Sequence, residues 1–229
     1  MRALKDLAFS WNPIGPTNQS TGPSKNRAFC RPVISDISCP MDNVANRREE
    51  IYNYFHANHA CQKYFFDSAH EDEYVGYYNS MYLLHDSTES LWWHRRQGFA
   101  RDPLQAYLEF WGLMQAVIIQ QDSIVEIFKV ITGNELDSKT LLSWSEIRNL
   151  RNVCAGHPAK RDRPKRLPLT RSFMGRMFGG YESFKYERWE QGVGTTHPDV
   201  KLAALLDAYA VEAEAKLVEI LNAMRTRWT

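Results

Sequence analysis

From Asp102-Pro103 to Gly133 the chain runs for about 30 residues with apolar side chains at helical spacing on more than one side. Such a stretch commits the fold to one long, largely buried helix of about 45 Å. Asp102 suits an N-cap, Pro103 the first turn and Gly133 the exit. Leu104, Leu108, Trp111, Ile118, Val125 and Phe128 form one stripe, which Val117, Ile124, Ile127 and Ile131 widen. A helix so apolar needs partners, and the rest of the chain offers them. Residues 43–67 set Val44, Ile51, Phe55, Cys61 and Phe65 opposite Arg47, Arg48, Glu49 and Glu50. Residues 71–97 carry Tyr74, Tyr77, Tyr78, Met81, Leu84, Leu91 and Trp92 and end at Gly98, a predicted left-handed cap. Residues 199–227 bear a long stripe that includes Leu202, Leu206, Tyr209, Leu217 and Met224. A shorter helix, capped by Asp137 or Ser138, turns Leu142, Ile147, Leu150 and Cys154 inward and leaves Arg148, Arg151 and Asn152 elsewhere. Gly156 and Pro158 stop it.

Two segments break the helical period. Residues 10–43 hold five prolines among Ser, Thr, Asn and Gly, so residues 1–42 read as an extended N-terminal arm. Residues 168–193 alternate over Leu169–Met174 and Glu182–Glu190 around Gly179-Gly180, the pattern of a β-hairpin. The prediction is therefore all-α: an up-and-down bundle of about five helices over 43–229, with a hairpin insertion before the last helix. Phe184, Tyr186 and Trp189 on the hairpin are expected to be open to RNA or a protein partner. Trp92 and Trp93, at the end of an amphipathic stripe, read as core.

Composition narrows the function classes. No run of about 18 apolar residues occurs and the N-terminus lacks a signal-type apolar block, which predicts a soluble, cytoplasmic protein with no membrane association. The four cysteines show no CxxC spacing and read as free thiols, with no metal site. The absence of a glycine-rich phosphate loop, a nucleophile elbow or paired carboxylates argues against nucleotide hydrolases and acyl-transfer enzymes, and no cofactor is implied. Net charge is +1, but residues 145–176 carry nine basic side chains against Glu146 and Asp162, so that segment is +7 and the remainder −6. A local basic field of this kind favours an anionic partner.

Within that segment Glu146-Ile-Arg-Asn-Leu-Arg151-Asn152-Val-Cys-Ala-Gly156-His157-Pro158 puts an arginine, an asparagine and a histidine at a helix stop. Arg151 to His157 resembles the R-x4-6-H motif of the HEPN superfamily, helical bundles that include many RNA-cleaving toxins and phage-defence proteins. Asn152 stands where that motif often has a polar residue. The resemblance covers about 43–228, and the arm and hairpin fall outside it.

The resemblance implies a metal-independent endoribonuclease in which the ribose 2′-hydroxyl attacks its own phosphodiester and leaves a 2′,3′-cyclic phosphate. The residue types suit that chemistry. A histidine, with an ordinary pKa of about 6.5, moves protons near neutrality. An arginine supplies a fixed, forked cation for the charge on a pentacoordinate phosphate. His157 takes the first role, Arg151 the second, and Asn152 orients the phosphate or the histidine. One such pair offers a single proton-transfer group, and the resemblance implies a homodimer whose two motifs share a composite site. Arg148, Lys160, Arg161, Arg163, Lys165 and Arg166 are then expected to bind the RNA backbone beside it. An antitoxin or other protein partner also follows from the resemblance. The alternative is a non-catalytic module of the same type that binds RNA or a protein partner.

Overall fold

The structure, a computed structural model, describes residues 39–156 and 168–229. The arm expected at 1–42 lies almost wholly outside the described residues, as does the basic loop 157–167.

Six α-helices occur among the described residues: α1 (Pro40–Ala57), α2 (His59–Phe65), α3 (Glu71–Gln97), α4 (Pro103–Thr132), α5 (Leu142–Arg151) and α6 (Leu202–Arg227). The chain is mainly helical, with a small antiparallel sheet before the last helix. α3 packs along α4, α1 along α6, and α4 meets α5 and α6. Fully buried Phe110, Met114, Ile124 and Ile127 of α4 lie in the same core as Leu84 of α3, Ile51 of α1 and Leu217 of α6. Burial of each such side chain is worth about 1.5–3 kcal/mol, which is what holds the helices together.

A polar network runs through this interior. Gln120 of α4, wholly buried, donates to Thr88 Oγ1 of α3 at 2.7 Å and accepts from the Tyr209 hydroxyl of α6 at 2.8 Å. Its amide also lies 3.7 Å from the Met41 sulfur of α1. Both heavy atoms of the buried amide are thus satisfied, and three neighbouring helices are fixed in register on α4.

Several helix boundaries differ from those expected. The stretch 43–67 is not one helix: α1 starts earlier, at Pro40, and stops at Ala57. Asn58 has extended backbone, accepts from Cys61 N at 2.9 Å to cap α2, and donates to the Trp228 carbonyl at 2.7 Å. α3 ends at Gly98 as expected, but with φ 74° and ψ −178° the glycine leads into extended backbone of a kind open to glycine alone, and Gly133 is the left-handed cap. Asp137 caps a single 3-10 turn, and α5 itself begins at Leu142. α6 begins at Leu202 rather than 199, because Asp199 and Val200 pair in a strand.

In α4 the expected face holds in its second half, where Val117, Ile118, Ile124, Ile127 and Ile131 are buried, and fails in its first. Phe110, Leu113, Met114 and Val117 are buried, whereas Leu104, Leu108 and Trp111 are exposed. The predicted hairpin is a three-stranded antiparallel sheet, ordered β1 (Thr170–Phe173), β3 (Glu187–Glu190), β4 (Gly194–Thr196). Thr170 faces Glu190 and Phe173 faces Glu187, so the two alternating segments do pair. Between them β2 (Phe184–Lys185) pairs with β5 (Asp199–Val200). Phe184 is not open: it is packed in the core against Phe110, ring centroids 5.3 Å apart, while Trp189 is partly exposed.

Cys39, Cys61 and Cys154 are free thiols, and among the described residues no helix is long and apolar enough to cross a membrane.

Candidate active site at the end of helix α5

α5 is short and its hydrogen bonds alone would leave it marginal. Trp144, Ile147 and Leu150 bury one face, with the Trp144 ring edge-on to Tyr209 at 5.5 Å. Its N-terminus has no side-chain cap of its own, since Leu141 stands in that position. Glu212 of α6 supplies one: its carboxylate accepts from Ser143 N at 3.0 Å and from Trp144 N at 2.8 Å. Two orphan N–H groups are satisfied, and a negative charge sits at the positive end of the helix.

At the edge of the buried face, four residues after Trp144, Arg148 is clasped by α4. Its Nε donates to Gln121 Oε1 at 3.0 Å and its Nη2 pairs with Asp122. Gln121, buried, in turn donates to the Trp144 carbonyl at 3.1 Å. Arg148, expected among the RNA contacts, therefore faces a carboxylate and ties α5 to α4.

One turn on, the helix widens into a π-helical turn over Asn152–Gly156. Such turns are rare and occur often at functional sites. Arg151, half-buried, donates to Asn152 Oδ1 at 3.2 Å and to Gln115 Oε1 of α4 at 3.3 Å. Among the described residues its partners are thus two neutral amide oxygens, which orient the fork and leave its charge uncompensated by a carboxylate. The partial negative charge at the end of α5 favours the cation further.

Gly156 completes the arrangement. A Cβ there would lie 2.7 Å from Arg151 Nη1 and 3.2 Å from Cζ, so the guanidinium folds back against the glycine. The glycine is not among those with positive φ. Its value is clearance, not a left-handed stop. The fork is brought beside the residue that precedes His157 in the chain. His157, Lys160, Arg161, Arg163, Lys165 and Arg166 lie outside the described residues.

Cys154, buried in the same turn, has its thiol pushed up to about 12 by desolvation, which keeps it protonated and inert as a nucleophile. Among the described residues no group of three or more His, Cys, Asp or Glu side chains is placed to hold a metal ion. Sequence reasoning finds Arg151 and Asn152 but misses Gln115 and Glu212, which reach α5 from distant segments. Gln115 continues the face Leu104, Leu108, Trp111 at helical spacing, the one signal that could have singled it out.

Comparison with known protein families, curated proteins and solved structures finds no match to this chain.

Proposed function

We propose that this chain is a metal-independent endoribonuclease of HEPN type, with Arg151 and His157 as its chemical pair. The observation that carries the reading is the Arg151 guanidinium, aimed by two neutral amides and seated against Gly156. A fork held in this way is preorganised for the oxygens of a phosphodiester whose charge grows as the 2′-hydroxyl attacks. His157 moves the protons: it takes the hydroxyl proton or delivers one to the 5′-oxygen that leaves. The product is a 2′,3′-cyclic phosphate. Asn152, assigned to the phosphate or the histidine on sequence grounds, has its Oδ1 turned to Arg151, and its role is to position the arginine.

The acid and the base needed in one turnover come from two copies. Leu104, Leu108 and Trp111 form an exposed apolar stripe on the face of α4 that ends at Gln115, the partner of Arg151. A patch of this kind beside the site supports a homodimer in which two Arg151/His157 pairs share one cleft. Lys160, Arg161, Arg163, Lys165 and Arg166 are the cations this reading assigns to the RNA backbone, which they hold without reading sequence. The setting that accords with the resemblance is a cytoplasmic toxin or phage-defence effector held in check by an antitoxin or other protein.

The same stripe favours a second reading, in which the domain is non-catalytic and docks a protein partner. Arg151→Ala and His157→Ala separate the two: RNA cleavage in EDTA is lost in both folded variants under the first reading. Under the second, wild type does not cleave at all.

A further inference from the structure

The three-stranded sheet of β1, β3 and β4 has one face open among the described residues. Strand pairing puts Arg171, Trp189 and Thr195 in one row across that face, with Phe173 beside Glu187 in the next row. The residues between them point the other way: Thr170 is buried, and Ser172, Arg188, Glu190 and Gly194 are half-buried. On that inner side β1 packs on the π-helical turn Asn152–Gly156, so the sheet adjoins the Arg151 site.

Two rings stand in the open. Phe173 is 65% exposed and Trp189 37%. As diagonal neighbours on adjacent strands they lie about 7–8 Å apart. Neither contacts another ring among the described residues. Leaving them out of the core forgoes stabilisation of about 1.5–3 kcal/mol for a ring of this kind. The rings alternate with Arg171 and Glu187 in a checkerboard, which breaks up the continuous apolar patch that a protein partner would need. The charges differ in their bonding. Glu187 is met by His197 at 3.8 Å, and on the inner face Arg188 is paired with Glu190 at 2.6 Å, whereas Arg171 has no carboxylate partner among the described residues. Arg171 also belongs to the segment 145–176, whose charge is +7. A free cation between two open rings, in the basic part of the chain, is complementary to a phosphate between two bases.

We infer that this face stacks unpaired bases of single-stranded RNA, an inference that rests on the reading of the neighbouring site as one that acts on RNA. Rings spread over a sheet hold splayed bases by their π-faces, whatever the base, and a duplex keeps its bases stacked on one another and out of their reach. Two neighbouring bases lie on Phe173 and Trp189, and the phosphate between them meets Arg171. Because β1 adjoins the turn at the end of α5, a strand held in this way reaches Arg151 unpaired.

The test is binding to the full-length protein, by fluorescence anisotropy, of a uridine dodecamer with 2′-O-methyl riboses, which has no 2′-hydroxyl to attack and stays whole. An abasic strand and a blunt duplex of equal length are measured beside it. Wild type is expected to hold the dodecamer about tenfold more tightly than the abasic strand. Phe173→Ala and Trp189→Ala should each remove about that factor for the dodecamer and leave the abasic strand and the duplex unchanged. Trp189→Phe, which keeps a ring, should restore most of it, and Arg171→Gln should weaken both single strands. No binding of the dodecamer, equal affinity for it and the abasic strand, or ring variants that bind like wild type would overturn the inference and leave the face to a protein partner. Cleavage plays no part in this measurement. A protein that stacks bases but cuts no RNA keeps this inference and loses the catalytic reading, and one that cuts RNA but holds both single strands alike does the reverse.

Discussion

The guanidinium of Arg151 occupies the space that a side chain at Gly156 would fill: a methyl group there would stand 2.7 Å from Nη1. The glycine in the π-helical turn is therefore coupled to the aim of the arginine, and through it to the proposed chemistry.

Gly156→Ala is expected to leave the fold intact, because the obstructed atoms are the far end of a flexible side chain and its φ is not in the left-handed region. Stability should stay within about 0.5 kcal/mol. The fork, displaced from its two amide partners, should lose cleavage activity by about ten- to a hundredfold. Thermal melting beside a cleavage time course checks both halves, and unchanged cleavage would detach Gly156 from the site.

Gln120→Ala should be the most damaging polar substitution in the core. It leaves a cavity, strands the Tyr209 hydroxyl and takes from Thr88 Oγ1 one of its two bonds, the other being to the Leu84 carbonyl. A loss of about 2–4 kcal/mol follows from the cavity and the missing hydrogen bonds, read as a lower urea midpoint.

The buried imidazole of His94 makes stability depend on pH. Its folded pKa is lowered by desolvation below the unfolded value of about 6.5, so between the two the unfolded chain binds more protons. Stability is full above pH 6.5 and falls as the pH drops through the folded pKa. Glu109, 3.7 Å away, opposes the shift without cancelling it, and Tyr181 is neutral throughout this range. His56, lowered by burial too, adds to the same slope. In His94→Gln the urea midpoint should vary less between pH 7.5 and about pH 5 than in wild type.

The fold is legible where local spacing decides it. Asp102, Pro103 and Gly133 bound α4 as their chemistry requires, and the paired strands at 170–173 and 187–190 follow their alternation. What escapes depends on partners far away in the chain. Asn58 breaks a helix whose period runs on through it, because its amide reaches the carbonyl of Trp228. Apolar periodicity also passes over Gln120 and Gln121 of α4, because they count as polar, yet both are fully buried and satisfied by Thr88, Tyr209 and Trp144. At the candidate site Arg151 and Asn152 stand out as neighbours in sequence. The Glu212 cap, 69 residues from Ser143, leaves no local trace, and Gln115, 36 residues from Arg151, shows only its helical spacing after Leu104, Leu108 and Trp111.

Replacing Lys160, Arg161, Lys165 and Arg166 by Gln should weaken RNA retention for all sequences alike, since cations that touch only phosphates carry no base information. The slope of log affinity against log salt should fall by about 0.7 for each phosphate no longer neutralised on single-stranded RNA. Filter binding between low and moderate salt gives the slope, and an unchanged slope would remove this loop from the RNA surface.

The most direct test of the central claim is the identity of the product ends. Wild type, Arg151→Ala and His157→Ala, each shown to be folded, are incubated with a structured RNA in excess EDTA, and the 3′ ends are analysed by mass. Wild type is expected to leave 2′,3′-cyclic phosphates and both variants to leave the RNA whole. Intact RNA with wild type, or equal cleavage by all three proteins, would contradict the account.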